Sequence, residues 1–138
     1  MPRPPLPPEV AERLRRPNPA VVAVLVPSGA PMSVATWYLL EEDGTVLLNM
    51  DAARARVEWM RARPQVALTA LDEHEWYTHV SIRGTVVRWE DDPVKALADI
   101  DRLSRHYRGR AYPNRERPRI SCWVRVEHWH GWGQAKAD

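Results

Sequence analysis

The sequence predicts a mainly β domain with flanking helices, an antiparallel barrel rather than a doubly wound parallel sheet. Two observations carry this. Apolar runs of strand length are separated by tight-turn pairs, Ser28-Gly29 and Asp43-Gly44, which favour hairpins over crossovers. The helical patterns are few, so the order reads strand, strand, strand, helix, strand, strand, helix, strand behind one short N-terminal helix. At 138 residues the chain is of a size that buries roughly 70% of its extended surface, enough for one core.

Taken in order, residues 1–8 are expected to form a flexible proline-rich tail and 9–138 a single domain. "EVAERLRR" spaces Val10 and Leu14 four apart, a short packing or lid helix stopped by "PNP". Three antiparallel strands follow in residues 20–50, around "PSGAP" and "EEDG". "MDAARARVEWMRARP" is a helix of about ten residues, with Asp51 as N-cap and Pro64 at its end. "QVALTALD" is a fourth strand. "WYTHVSIRGTVVRWE" is a fifth, with Val80, Ile82 and Val86 on one face and a bulge or bend at Gly84. "DPVKALADIDRLSRHYRG" is a long helix with Val94, Leu97, Ile100 and Leu103 on its apolar side and Gly109 past its end. "PRISCWVRVEHWHGWG" closes the barrel, with Ile120, Cys122, Val124 and Val126 pointing inward.

Composition narrows the function classes. A net charge of +2 gives little general attraction to nucleic acid. The single cysteine excludes an internal disulfide, and with no apolar run of about 20 residues and no signal-peptide pattern the protein is expected to be cytoplasmic. Cys122 reads as a packed core residue. His128 and His130 share a strand face, but without a third ligand at recognisable spacing no metal site is assigned. Seven tryptophans and no phenylalanine are unusual; Trp123, Trp129 and Trp132 suggest a stacking wall for a planar ligand or a buried subunit interface.

Charge is concentrated at one place. Arg54, Arg56, Arg61 and Arg63 fall within ten residues behind the strand "TVLLN". On a helix, Val57 and Met60 make a narrow apolar strip with arginines on both sides, so the helix docks while its arginines reach around. Arg54, Ala55 and Arg56 at the N-terminus suit a phosphate, and Arg61 a second anion. A solvated surface accounts for the same pattern if Glu58 pairs with Arg54 and Arg61.

The stretch from "VVAVLVPSGAP" to "RPQVALTALD", with the later "IRGTV", resembles the pyridoxamine 5'-phosphate oxidase-like split-barrel family, and within it the branch that uses the deazaflavin coenzyme F420. The matching positions are "SGAP", Arg54, Arg56, Arg61, Pro64 and "IRGTV"; Arg56, Trp59, Met60 and Arg63 stand where the family pattern has lysine, asparagine, leucine and aspartate. The resemblance covers about residues 10 to 133. It implies a split antiparallel barrel of about six strands, of the FMN-binding split-barrel type, and a homodimer with cofactor sites at the interface. It further implies that Asn49, Met50, Arg54, Ala55 and Arg56 hold the ribityl chain and phosphate and that Ala35 and Thr36 lie under the ring. Arg61, with Arg63, faces the acidic tail, and Trp76 sits where the partner closes the pocket.

The function so implied is an oxidoreductase moving a hydride between the deazaflavin C5 and a conjugated small molecule such as a quinone, enone or tetrapyrrole. The family's chemistry is the cofactor's, so no catalytic side chain is assigned; Tyr38, Tyr77 and Tyr107 are candidate proton donors. The alternative within the fold is an FMN-binding flavoprotein. From another class, a barrel binding haem, another tetrapyrrole or nucleic acid without turnover fits the same composition.

Overall fold

The computed structural model describes residues 2–136; the outermost ends of the predicted tail and domain lie outside them. Seven strands form one antiparallel sheet: β1 (Ala20–Leu25), β2 (Pro31–Thr36), β3 (Leu39–Leu40), β4 (Val46–Asp51), β5 (Gln65–Leu71), β6 (His79–Glu90) and β7 (Arg119–Trp132). Three α-helices accompany them: α1 (Pro8–Leu14), α2 (Ala55–Ala62) and α3 (Pro93–Arg108). The sheet order is β2-β1-β5-β6-β7-β4-β3, and the curled sheet is a split barrel.

One more strand is present than the six expected, and the reason lies at residues 36–39. The apolar run "PMSVATWYLL" crosses from one edge of the sheet to the other. β2 pairs with β1, whereas β3 pairs with β4, so the first three apolar runs do not form one meander. The chain bridges the split at Trp37 and Tyr38. Tyr38 is fully buried there; its hydroxyl donates to the Leu14 carbonyl at 2.7 Å and accepts from Asn18 Nδ2 at 2.8 Å.

The turns follow their residues. Gly44, with φ 88°, closes the β3–β4 turn, where the Asp43 carboxylate accepts from Thr45 N at 2.9 Å. At Gly84 the β6–β7 register shifts, and a Cβ there would lie 2.0 Å from the Arg125 carbonyl oxygen. The predicted bulge is thus also a place where two backbones touch.

Inward residues of the strands, including Val80, Ile82, Val86, Ile120, Cys122, Val124 and Val126, form the main core with Val10 and Leu14 of α1. The short N-terminal helix therefore packs rather than covers a site. Ahead of it, Leu6 packs against the core and the Pro2 carbonyl accepts from Trp129 N at 3.0 Å. α2 docks through Val57 and Met60, each contributing about 1.5–3 kcal/mol by burial.

α3 starts at Asp92, whose side chain accepts from Val94 N and Lys95 N, and stops at Gly109 in the left-handed conformation. Ile100 and Leu103 make a second, smaller core with Leu47 and Trp123 on the outer side of the sheet. Val94, expected on the apolar side, is 78% exposed, because the buried face of α3 runs through Ala96, Ile100 and Leu103, and a residue two before Ala96 points away from it. Trp123 and Trp129 are both buried in the protein's own cores, which removes them from any ligand wall or subunit interface; Trp132 alone of the three is exposed. No helix among the described residues is long and apolar enough to cross a membrane.

Candidate functional site

A cleft of about 910 Å³ opens where the ends of β1, β2 and β4, the entry of α2 and the C-terminal end of α3 converge. Of the predicted site residues, Ala35, Thr36, Asn49, Met50, Arg54 and Arg56 line it. The sheet brings them together from three separate segments. Ala55, the first residue of α2, lies between the two lining arginines in sequence and is exposed.

Arg61 and Trp76 do not line the cleft. The Arg61 guanidinium sits over the Trp89 ring, 4.5 Å from its centroid. Trp76 is 71% exposed on the β5–β6 loop, edge-on to Tyr77. Arg63 approaches Gly29 at the β1–β2 turn.

The entry to α2 differs from expectation in one respect. The helix spans eight residues, with Arg54 as N-cap and no side chain capping it. Asp51 remains in β4 instead, where its carboxylate accepts from Ala53 N at 2.9 Å and pairs with Arg117. Three residues of turn between β4 and α2 put Asp51 too far back to reach the first helical N–H groups, which stay open. Among the described residues, neither Arg54 nor Arg56 is within ion-pair distance of a carboxylate, and Glu58 pairs with neither Arg54 nor Arg61. The Glu58 ion pairs are therefore absent among the described residues, while Arg54, Arg61 and Arg63 are exposed and Arg56 is half-buried. Burial, reinforced by Arg54, disfavours the charged form of Arg56 and lowers its pKa.

Sequence periodicity missed several lining residues. Arg119 begins β7 opposite Asp51 and faces the same end of the cleft as Arg54. Trp37, Tyr107 and Tyr112 form an aromatic wall: Trp37 stacks on Tyr107 at 5.4 Å between centroids and meets Tyr112 edge-on at 6.3 Å. Arg108 and Arg110 complete that side. Tyr107, Arg108, Arg110 and Tyr112 lie at the end of α3 and in the loop "RGRAYPNRER", Trp37 lies between β2 and β3, and Arg119 opens β7, all places where no period predicts direction. The nearest signal was the loop's own arginine density.

Tyr112 is held in place by Asp101, whose carboxylate accepts from Tyr112 N at 2.9 Å and from both terminal nitrogens of Arg115 at 3.0 Å. The Arg115 bonds hold the Asp101 carboxyl below its ordinary pKa. Of the candidate proton donors, Tyr38 is buried at the barrel's split and Tyr77 lies outside the cleft. Tyr107 reaches the cleft with its ring, but its hydroxyl donates to the Asn18 carbonyl at 2.7 Å.

The aromatic residues beyond the cleft form their own surface: His79 and His130 both stack on Trp132, at 6.1 and 4.4 Å. Among the described residues no cluster of three metal-ligating side chains occurs.

Known proteins share this architecture. A protein described as F420 reductase superposes with a TM-score of 0.79 at 24% identity, over 90% of this chain and 98% of its own. A conserved hypothetical protein, Rv2991 of Mycobacterium tuberculosis, gives 0.73 at 20% identity, over 94% and 86%. HupZ of Group A Streptococcus gives 0.67 at 13% identity, over 92% and 94%. These likenesses establish the fold. No protein of curated function matches the sequence. The sequence pattern of pyridoxamine 5'-phosphate oxidase matches residues 6–133, and the chain belongs to that family.

Proposed function

We propose that the protein is an F420-dependent oxidoreductase that exchanges a hydride with a conjugated small molecule, working as a homodimer with two cofactor sites at its interface. One observation carries the reading: Arg54 and Arg56 stand at the end of a cleft large enough for a tricyclic ring, with no carboxylate among the described residues paired to them. Arg54 is exposed at the mouth of the cleft and Arg56 is half-buried, and partial desolvation of the unpaired Arg56 guanidinium is relieved by a bound oxyanion. The donor set thus fits a phosphate-bearing flavin or deazaflavin.

In this reading the side chains of Arg54 and Arg56 and the open N–H groups of Ala55 and Arg56 hold the phosphate, the Arg54 N–H being committed to the Asp51 carbonyl at 3.1 Å. Met50 and the Asn49 backbone flank the ribityl chain, while Ala35 and Thr36 floor the ring. Trp37, Tyr107 and Tyr112 exclude water from the opposite side. Hydride chemistry is supplied by the cofactor when bound, and the protein contributes placement and a dry surface. Arg108 and Arg110 add positive charge that suits the more acidic tail of the deazaflavin over FMN. Arg61 and Trp76 meet only what extends beyond the cleft, the far end of the tail or a second subunit.

Titration with oxidised F420 and separately with FMN, followed by cofactor and tryptophan fluorescence, tests the proposal. F420 is expected to bind more tightly than FMN. The double variant Arg54→Ala/Arg56→Ala should weaken binding by about a hundredfold, two charge-assisted contacts at about 1.5 kcal/mol each, with an unchanged thermal midpoint. Preference for FMN would move the protein to the flavin alternative. Binding of neither would refute the cofactor reading.

A further inference from the structure

Arg119 differs from the protein's surface arginines in how it is held. Its Nε donates to Asn49 Oδ1 at 2.9 Å. That single bond fixes the guanidinium plane and leaves the Nη1 and Nη2 edge, the fork that matches a carboxylate or phosphate.

Asn49 in turn cannot swivel. Its Nδ2 donates to the Ala96 carbonyl of α3 and to Ser121 Oγ, both at 2.9 Å, and Ser121 Oγ donates to Asp99 Oδ2 at 2.8 Å. Every hydrogen-bonding position of the amide is therefore committed to protein except one acceptor lone pair. The Tyr112 ring packs against the Arg119 guanidinium at 5.0 Å.

The charge has no direct ion-pair partner. Asp51, its partner across the ladder, is turned to Arg117, and among the described residues Arg119 has no carboxylate within ion-pair distance. Burial lowers its pKa, outweighing Tyr112 and Asp51, which favour the charged form. A half-buried cation that is rigidly aimed and left unpaired is a preformed receptor for an anion.

We infer that Arg119 is a dedicated oxyanion-binding residue of the cleft, taking a carboxylate or phosphate in its fork, and that Asn49 is its positioning residue rather than a ligand contact. The location rests on the proposed cofactor site, but the oxyanion role does not depend on the cofactor's identity. The oxyanion belongs either to the cofactor or to an acidic substrate.

Two probes separate these sources: F420 followed by fluorescence, and inorganic pyrophosphate followed by the thermal midpoint. Arg119→Gln should lose at least about tenfold in affinity for one or both, and Arg119→Lys, which keeps the charge without the fork, should recover only part of it. Loss for F420 assigns the oxyanion to the cofactor. Loss for pyrophosphate with F420 unchanged assigns it to substrate. Loss for pyrophosphate in a protein that binds no F420 upholds Arg119 and refutes the cofactor reading. Equal affinity of wild type and Arg119→Gln for both probes overturns the inference.

Asn49→Asp places a carboxylate against Arg119 and neutralises it, so it should reproduce the Arg119→Gln loss and the same reduction in salt dependence. The double variant should then lose no more than Arg119→Gln alone. Additive losses would show that Asn49 acts on the ligand independently and would overturn its positioning role.

Discussion

Tyr38→Phe is the most informative single perturbation of this fold, because one hydroxyl joins α1, the α1–β1 connection and the split in the barrel. Removing it leaves the Leu14 carbonyl without the bond at 2.7 Å and one Asn18 Nδ2 hydrogen without the bond at 2.8 Å, in a place with no exposure. The other Asn18 hydrogen still reaches the Arg13 carbonyl at 2.7 Å. Two buried polar groups losing partners cost about 1–3 kcal/mol each, so a loss of roughly 3 kcal/mol is expected. For 138 residues the unfolding entropy converts this to a midpoint roughly 10 °C lower.

The pH dependence sharpens the test. Burial pushes the Tyr38 pKa from 10.0 up to about 12, despite the hydrogen bond from Asn18. Below pH 10 neither state ionises and the contribution of the phenol is fully present. Between pH 10 and 12 the unfolded chain releases its proton while the folded chain retains it, so wild-type stability falls by up to about 3 kcal/mol. Tyr38→Phe lacks that component. Urea unfolding at pH 7, 9 and 11 should show a gap between the two proteins that is constant to pH 9 and narrows at pH 11. A gap below about 0.5 kcal/mol at pH 7, or one that does not narrow, would refute the reasoning.

Two further outcomes are expected. Gly84→Ala places a Cβ 2.0 Å from the Arg125 carbonyl oxygen and should cost about 3 kcal/mol or more, whereas Gly44→Ala, in open space at φ 88°, should cost about 1–2 kcal/mol; equal urea midpoints would contradict the close approach. The Cys122 thiol, buried and pushed up to about 12, should not react with a disulfide reagent at pH 8 until denaturant is added, and stoichiometric labelling of the native protein would contradict its burial.

What the sequence by itself determined is local or periodic. Alternation set the inward faces of β6 and β7, Gly84 marked the bulge, Asp92 and Gly109 bounded α3, and Val57 and Met60 set the docking strip of α2. Each follows from contacts within a few residues or from a repeat that any strand or helix must obey. The arginines at the α2 entry were legible for the same reason, since Arg54 and Arg56 follow directly from the strand that places them.

Tertiary structure decided the rest. The sequence does not reveal that the second apolar run crosses the barrel's split, because that depends on which edges the curled sheet brings near each other. Nor does it reveal that the Asn49 amide is engaged by Ala96, 47 residues away, and by Ser121 and Arg119, 72 and 70 residues away. Arg61 and Arg119 are equally basic in sequence. Packing put the first over Trp89 and the second in the cleft, since a charged side chain's direction is set by what surrounds its backbone rather than by its neighbours along the chain.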